Sequence, residues 1–260
     1  MFGMLDVWED MLPDAGEIRD IRITDGASPF YLHYDHREVG DDPLGWIVEN
    51  QAIRRALLGA TLNHPLIRWH HGDTVTSWQA EPAHVLVTTG NGCQMSAALL
   101  VAADGRNSRL RTQAGIRTSE WAYNQAGIVC TALHEYPHDN VAHERFLPAG
   151  PFAILPLPDR DGLHRSSIVW TERTDMAAAI MQLDQDSFEA ELRARFGDFL
   201  GQVTTEGGRW SWPLGVVHAA NYTAPRFALA GDAAHGMHPI AGQGFNMGLR
   251  DVAALAEELV

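Results

Sequence analysis

The sequence predicts a mixed α/β or α+β protein in which an intervening, mainly antiparallel sheet interrupts a parallel one. Two observations predict the parallel part. The run 99–103 is wholly apolar and the run 226–230 is apolar after Arg226, and each ends at an Asp-Gly or Gly-Asp pair. This is typical of buried parallel strands that deliver a loop to a site. A third observation predicts the antiparallel part, because most of the chain between these runs is strand-like and punctuated by prolines.

The individual elements follow from local patterns in chain order. Alternation of apolar and polar residues predicts strands on both sides of the Asp25-Gly26 turn signal. Apolar residues on one face predict a helix over 50–62, with Asn50 as its N-cap. The predicted strands are 18–24, 30–34, 66–70, 75–79, 84–88, 93–97, 99–103, 122–134, 144–157, 164–171, 210–214 and 226–230, and the predicted helices are 50–62, 175–183, 187–196 and 246–260.

Composition indicates a globular protein and excludes several functions. The chain has 260 residues, of which 45% are hydrophobic and 20% charged, so it can bury a core. Its net charge of −14 argues against a nucleic-acid partner. All 19 basic residues are arginine, which excludes P-loop and Schiff-base chemistry that needs lysine. Two cysteines, no long apolar run and no secretory signal favour a cytoplasmic location.

The strongest chemical signal is the segment 231–246, which reads Gly-Asp-Ala-Ala-His-Gly-Met-His-Pro-Ile-Ala-Gly-Gln-Gly-Phe-Asn. A buried strand delivers Asp232 to the strand end, where open α/β sheets bind ligands and a carboxylate can accept hydrogen bonds from polyol hydroxyls. Gly242 and Gly244 expose backbone N–H groups just before a helix, whose N-terminus favours an anion. The alternative is a glycine-rich turn between strand and helix with Asp232 as a cap.

This segment resembles the second flavin-binding motif of the class A flavin-dependent aromatic hydroxylases, the p-hydroxybenzoate hydroxylase-like family. The resemblance implies that Asp232 meets the ribityl chain of FAD, that Pro239 lies beside the isoalloxazine, and that the amides of 242–245 face its N1–C2 edge. The stretch 103–111 resembles the Asp-Gly motif of the same family, in which Asp104 lies near the FAD pyrophosphate and which also serves NAD(P)H. A strand end with an Asp-capped helix is the alternative there. The implied cofactor-binding residues are Asn50, Asp104, Gly105, Gly231, Asp232, Pro239, Gly242, Gln243, Gly244, Phe245 and Asn246.

Further stretches narrow the resemblance. Asn50 matches a family position that contacts flavin, although an N-cap role explains an asparagine there equally well. The stretches 45–50, 144–157, 167–172 and 238–244 resemble the ubiquinone-biosynthesis hydroxylases within this family. The resemblance implies an FAD-dependent monooxygenase that uses NAD(P)H and O₂ to hydroxylate a phenolic ring, with a polyprenyl phenol as substrate. It also implies peripheral contact with the inner membrane or with a ubiquinone-biosynthesis complex.

The implied fold is a Rossmann-like FAD-binding domain that lacks its N-terminal βαβ unit and carries an inserted substrate-binding sheet. We predict that residues 46–117 and 219–260 form the FAD-binding domain, and that 15–45 and 118–218 form the substrate sheet. The family opens with a Gly-x-Gly-x-x-Gly turn that holds the FAD pyrophosphate. Because this turn is missing and the chain ends within a helical pattern, we expect a fragment of a longer enzyme that retains FAD weakly by itself.

Two alternatives use the same motifs. A related flavoprotein could act on another aromatic ring, or as a reductase or halogenase. A protein of another class, a non-catalytic remnant, would no longer retain FAD. His235 and His238 have no further ligand at suitable spacing, so we predict no metal site. No side chain is predicted to be an obligatory acid or base, because the cofactor carries the chemistry.

Overall fold

The computed structural model describes residues 1–26 and 28–259. Ala27 and Val260 lie outside the described residues, although the predicted domain ranges and the predicted last helix include them. Within the described residues, none of the helices combines the length and the apolar character needed to cross a membrane.

Short helices and many strands alternate along the chain. The α-helices of the described residues are Trp8–Met11 (α1), Asn50–Leu62 (α2), Arg109–Gln113 (α3), Thr174–Met181 (α4), Gln185–Phe196 (α5) and Gln243–Leu259 (α6). The strands are Ala15–Ile18 (β1), Asp20–Asp25 (β2), Tyr31–Asp35 (β3), Gly45–Val48 (β4), Val75–Ala80 (β5), Val85–Thr89 (β6), Gln94–Ala97 (β7), Leu100–Ala102 (β8), Thr118–His134 (β9), Val141–Leu147 (β10), Gly150–Arg160 (β11), Leu163–Arg173 (β12), Val203–Ala219 (β13), Thr223–Ala224 (β14), Phe227–Leu229 (β15) and His235–Gly236 (β16).

The chain divides into two compact units. The first, which we call the motif unit, comprises Met1, Pro65–Tyr123 and Leu214–Val260. The second, the sheet unit, comprises Phe2–His64 and Asn124–Pro213. The boundaries fall within β9 and β13, so each of these long strands has residues in both units.

A large sheet forms the body of the sheet unit. It has eight strands in the order β16-β13-β9-β12-β11-β10-β2-β3, and all of them except β16 have residues in the sheet unit. The neighbours from β9 to β10 pair antiparallel, as do β2 and β3, whereas β10 and β2 run parallel. The predicted fold class, with a mainly antiparallel inserted sheet, is therefore confirmed.

One face of this sheet is buried under α4 and α5. Alternate residues of the central strands point to that face because side chains of a strand alternate in direction. Phe152 and Trp170 pack there against Phe188 and Leu192, and all four side chains are buried. Burial of one such side chain contributes about 1.5–3 kcal/mol, so this cluster stabilises the unit.

His143 on β10 makes the stability of the sheet unit depend on pH. Burial lowers the pKa of His143 to about 4, and the charges of Arg22 and Arg145 add to the effect. The histidine of the unfolded chain, with a pKa near 6.5, therefore takes up a proton at a higher pH than the folded one. This contribution to stability is complete above pH 6.5 and is lost as the pH falls toward 4.

We expect the variant His143→Gln to lose less stability than the wild type as the pH falls through this range. The slopes of the free energy of unfolding against pH should differ by up to about 1.4 kcal/mol per pH unit. Urea denaturation at several pH values measures both slopes. The exposed His70→Gln is the matched control and should keep the wild-type slope; an unchanged slope in His143→Gln contradicts the assignment.

The motif unit contains two smaller three-stranded sheets. One has the antiparallel order β5-β6-β7. The other has the order β14-β15-β8, in which β15 runs parallel to β8. Trp78 stacks on Phe227 with ring centroids 4.8 Å apart, and the neighbouring core includes Ala102, Leu229 and Ala233. Both apolar runs of the sequence are thus short strands of one sheet, as predicted.

Several local predictions differ from the structure. The predicted strand 144–157 is a hairpin, because the chain turns at 148–149 and β11 pairs back antiparallel on β10. The run 66–70 is predicted to be a strand but is irregular and exposed, because no strand of the described residues pairs with it. Asn50 is the first residue of α2 rather than its cap: the N-cap is Glu49, whose side chain makes no capping bond. Helix α6 begins at Gln243, three residues earlier than predicted.

The predicted division into domains stays a prediction, and the compact units follow its ranges only in part. Residues 46–64 belong to the sheet unit, although the prediction assigns them to the FAD-binding domain. The physical reason is that β4 pairs with β1 and α2 packs on α1, so this stretch makes its contacts with other elements of the sheet unit.

Candidate functional site

The two strand ends singled out by the sequence meet at one edge of a sheet. Ala102 pairs with Leu229, and the N–H of Ala230 donates to the carbonyl of Ala102 at 3.0 Å. Because β8 and β15 are parallel neighbours, the loops that carry Asp104 and Asp232 leave the same edge of the sheet. The two motif loops therefore begin side by side.

Asp104 is exposed and stabilises the start of α3. Its Oδ2 accepts hydrogen bonds from the N–H groups of Arg109, at 3.1 Å, and Leu110, at 3.4 Å. Gly105 follows with φ +84°, a backbone conformation that favours glycine. The N-cap of α3 is Ser108, whose Oγ accepts from the N–H of Arg111 at 3.0 Å, and Asp104 adds an acceptor for the first two N–H groups of the helix. The role of Asp104 near the pyrophosphate stays a prediction.

Asp232 lies in a different environment. It is exposed, and within the part of the chain that the structure describes its carboxylate has no hydrogen-bond partner. Gly231 before it has φ +62°, and a Cβ added there would meet no heavy atom within 4 Å. A carboxylate beside open space, at the end of a strand, is suited to accept hydrogen bonds from the hydroxyls of a ligand.

Two arginines connect the Asp104 loop to the Asp232 loop. Arg111 is buried, and its guanidinium donates to the carbonyls of Ala233 at 2.8 Å and Arg106 at 2.9 Å. Arg106 in turn donates to the carbonyl of Met237 at 3.4 Å. The sequence analysis did not single out these arginines, because the carbonyl groups of Ala233 and Met237 that they bond lie more than a hundred positions away along the chain. A basic residue soon after an Asp-Gly pair was the available signal.

The predicted residues 242–246 lie at the start of α6: Gly242 directly precedes the helix, and residues 243–246 form its first turn. The N–H of Gly242 donates to the carbonyl of Pro239 at 2.9 Å, and Gly242 has φ +61° with open space where a Cβ would lie. The first turn of a helix carries backbone N–H groups without partners in the helix and a partial positive charge. Open glycine backbone, helix donors and the free Asp232 carboxylate are a donor and acceptor set that fits a flavin nucleotide.

Asn50 belongs to the sheet unit. It is exposed at the start of α2. Glu49 before it accepts from Arg160 at 3.0 Å and from the buried Arg165 at 3.4 Å, and Arg165 also bonds Glu206 at 2.9 Å. These ion pairs fix the chain just before α2. The predicted contact of Asn50 with flavin stays a prediction.

No metal site is found among the described residues, where no group of three or more potential ligands occurs. His235 bonds the carboxylate of Asp251 at 2.7 Å, and the Nδ1 of His238 accepts from the N–H of Ile240 at 3.2 Å. Both histidines thus have partners within their own loop and helix.

Solved structures define the class of fold. The chain is similar to a probable FAD-dependent monooxygenase, pqsL of Pseudomonas aeruginosa, with TM-score 0.78 and 18% identity over 96% of this chain and 70% of that one. It is also similar to p-nitrophenol 4-monooxygenase PnpA of Pseudomonas putida, with TM-score 0.75 and 19% identity over 98% of this chain and 66% of that one. These likenesses show the fold of FAD-dependent monooxygenases.

Residues 41–260 match the family described as FAD binding domain, and the chain belongs to this family. It is 45% identical over 260 residues to ubiquinone hydroxylase UbiL of Rhodospirillum rubrum, which covers 100% of this chain and 59% of that protein. It is 33% identical over 284 residues to the human mitochondrial ubiquinone biosynthesis monooxygenase COQ6, with 93% and 59% covered. The predicted family and its cofactor, FAD, are confirmed. The chain spans 59% of the length of each of these relatives.

Proposed function

We propose that the full-length protein is an FAD-dependent monooxygenase that hydroxylates a phenolic ring with NAD(P)H and O₂. The observation that carries the proposal is the pairing of β8 with β15, which brings both motif loops to one edge of a sheet. The names of the relatives, a ubiquinone hydroxylase and a ubiquinone biosynthesis monooxygenase, support a polyprenyl phenol of ubiquinone biosynthesis as the substrate.

The residues of this chain bind and orient the cofactor. Asp232 would accept hydrogen bonds from the ribityl hydroxyls, and Pro239 would lie beside the flavin ring. Backbone N–H groups at the start of α6 would stabilise negative charge at the N1–C2 edge. Asp104 and Gly105 would lie near the pyrophosphate, and this contact, like that of Asn50, rests on the resemblance. When bound, FAD supplies hydride acceptance from NAD(P)H and activation of O₂.

The proposed substrate also suggests where the protein works. A polyprenyl chain is apolar along its whole length and therefore partitions into a bilayer. We infer that the protein is cytoplasmic and makes peripheral contact with the inner membrane or with a complex of ubiquinone biosynthesis, where such a phenol is available. This inference depends on the identity of the substrate.

Turnover by the full-length protein tests the proposal. We expect flavin to copurify, and NAD(P)H consumption to accompany a product that carries one oxygen atom from isotopically labelled O₂, detected by mass spectrometry. A prenylated phenol and a short-chain phenol with the same ring form the matched pair. Peroxide without a hydroxylated product, a halogenated product, or a protein without flavin would each contradict the proposal.

A further inference from the structure

One carboxylate oxygen on α6 holds two parts of the Asp232 loop. The Oδ2 of Asp251 accepts a hydrogen bond from the backbone N–H of Gly231 at 2.8 Å and lies 2.7 Å from the Nε2 of His235. Gly231 and His235 flank Asp232 along the chain. The two bonds therefore attach the loop to the helix on both sides of the residue proposed to bind the ribityl chain.

Only one of the two ring nitrogens of His235, the Nε2 that faces Asp251, has a hydrogen-bond partner among the described residues. Because a carboxylate only accepts, the Nε2 of His235 is the donor. Its Nδ1 is buried and has no hydrogen-bond partner among the described residues, and the residue is only 3% exposed. Removal of the Asp251 carboxylate would thus leave this buried ring and the Gly231 N–H without the acceptor they share, which is costly.

The helix and the loop are also in close contact one turn earlier. A Cβ added at Gly248 would lie 3.2 Å from the Cα of Gly231, tighter than nearly all real contacts of this kind. Glycine at this position lets α6 approach the loop closely enough for Asp251 to reach the Gly231 N–H. Two independent features therefore set the distance between α6 and the Asp232 loop: the absence of a side chain at Gly248 and the carboxylate of Asp251.

We propose that Asp251 is a positioning residue for FAD, which holds the Asp232 loop against helix α6 so that the Asp232 carboxylate and the N-terminal amides of α6 face one ligand. This inference rests on the proposed function. Asp251 acts through Gly231 and His235 and does not itself touch the cofactor.

The test compares Asp251→Ala with Asp251→Asn in the full-length protein. FAD is titrated into the apoprotein, and the dissociation constant is obtained from the quenching of flavin fluorescence. We expect Asp251→Ala to raise this constant by about tenfold or more, the equivalent of one lost hydrogen bond to a charged group. Asp251→Asn keeps an acceptor oxygen and should restore most of the affinity.

Matched variants separate positioning from a general loss of stability. Glu258→Ala removes an exposed carboxylate from the same helix and should leave the dissociation constant unchanged. Gly248→Ala keeps the carboxylate but pushes α6 away from the loop, and should also weaken FAD binding. If Asp251→Ala does not fold, the dissociation constants for FAD of Asp251→Asn and Gly248→Ala, compared with that of the wild type, still test the inference.

Two results would overturn the inference while the proposed function stands. One is wild-type affinity in both Asp251→Ala and Gly248→Ala. The other is an Asp251→Asn variant as weak as Asp251→Ala, because acceptance of hydrogen bonds alone predicts rescue by the amide. A wild-type protein that binds no FAD would instead contradict the proposed function, so the two failures are distinguishable.

Discussion

Replacing Asp232 with alanine should abolish the retention of FAD by the full-length protein. The carboxylate is exposed at the end of a strand and lacks a hydrogen-bond partner among the described residues, so its acceptor capacity is available to a ligand. Hydrogen bonds to a charged group contribute about 1.5–3 kcal/mol each, and two ribityl contacts would account for a loss of a hundredfold or more. The ratio of visible flavin absorbance to protein absorbance after gel filtration measures retention.

The same substitution should leave the fold intact. An exposed side chain without internal partners changes the free energy of unfolding by no more than about 0.5 kcal/mol. Glu257→Ala, another exposed carboxylate of the motif unit, is the matched control and should retain flavin like the wild type. An Asp232→Ala variant with a normal flavin content would exclude the role assigned to this residue.

Arg111→Met should lower the free energy of unfolding by about 3 kcal/mol. The buried guanidinium donates to two carbonyl groups, those of Ala233 and Arg106, and methionine fills a similar volume without donors. Two carbonyl acceptors, one buried and one partly buried, then lose their partners, at about 1–3 kcal/mol each. Urea denaturation measures the change in the apoprotein. The affinity for FAD should fall as well, because Arg111 connects the Asp104 loop to the Asp232 loop.

The neighbouring Arg109 provides the control for this second prediction. It is exposed on the same short helix, and its hydrogen bond to Asp104 is made by the backbone N–H, which methionine retains. Arg109→Met should therefore stay within about 0.5 kcal/mol of the wild type. Equal stability of the two variants would show that the carbonyl contacts of Arg111 contribute little.

The parts of the fold that local patterns predict are those whose stability comes from neighbours along the chain. Helix α2 has the predicted bounds 50–62, since an amphipathic period of 3.6 is written in consecutive residues. The hairpin strands around the turn at residues 90–92 and the helix that ends before Gly197 are predicted correctly for the same reason. The prediction for 66–70 is wrong, because a strand also needs a partner that the local pattern does not supply.

The candidate site divides in the same way. The motif residues themselves, Asp104 with Gly105 and Gly231 with Asp232, are recognisable because glycine and a short carboxylate at a strand end are unusual and local features. Their partners are not recognisable. Arg111 reaches Ala233, 122 positions away, and Asp251 reaches Gly231, 20 positions away. No local pattern distinguishes such a partner from an ordinary surface charge.

Residue types in short, specific order were enough to establish the family, the cofactor class and the two motif loops. Three features needed the three-dimensional arrangement: β8 and β15 are neighbours, Asp104 accepts hydrogen bonds from the first N–H groups of α3, and Asp251 bonds the Asp232 loop. The physical reason is that hydrogen bonds and strand pairings act over a short range, since they join groups within about 3–5 Å in space. For groups that are far apart in the sequence, the local residue pattern does not indicate which of them will meet.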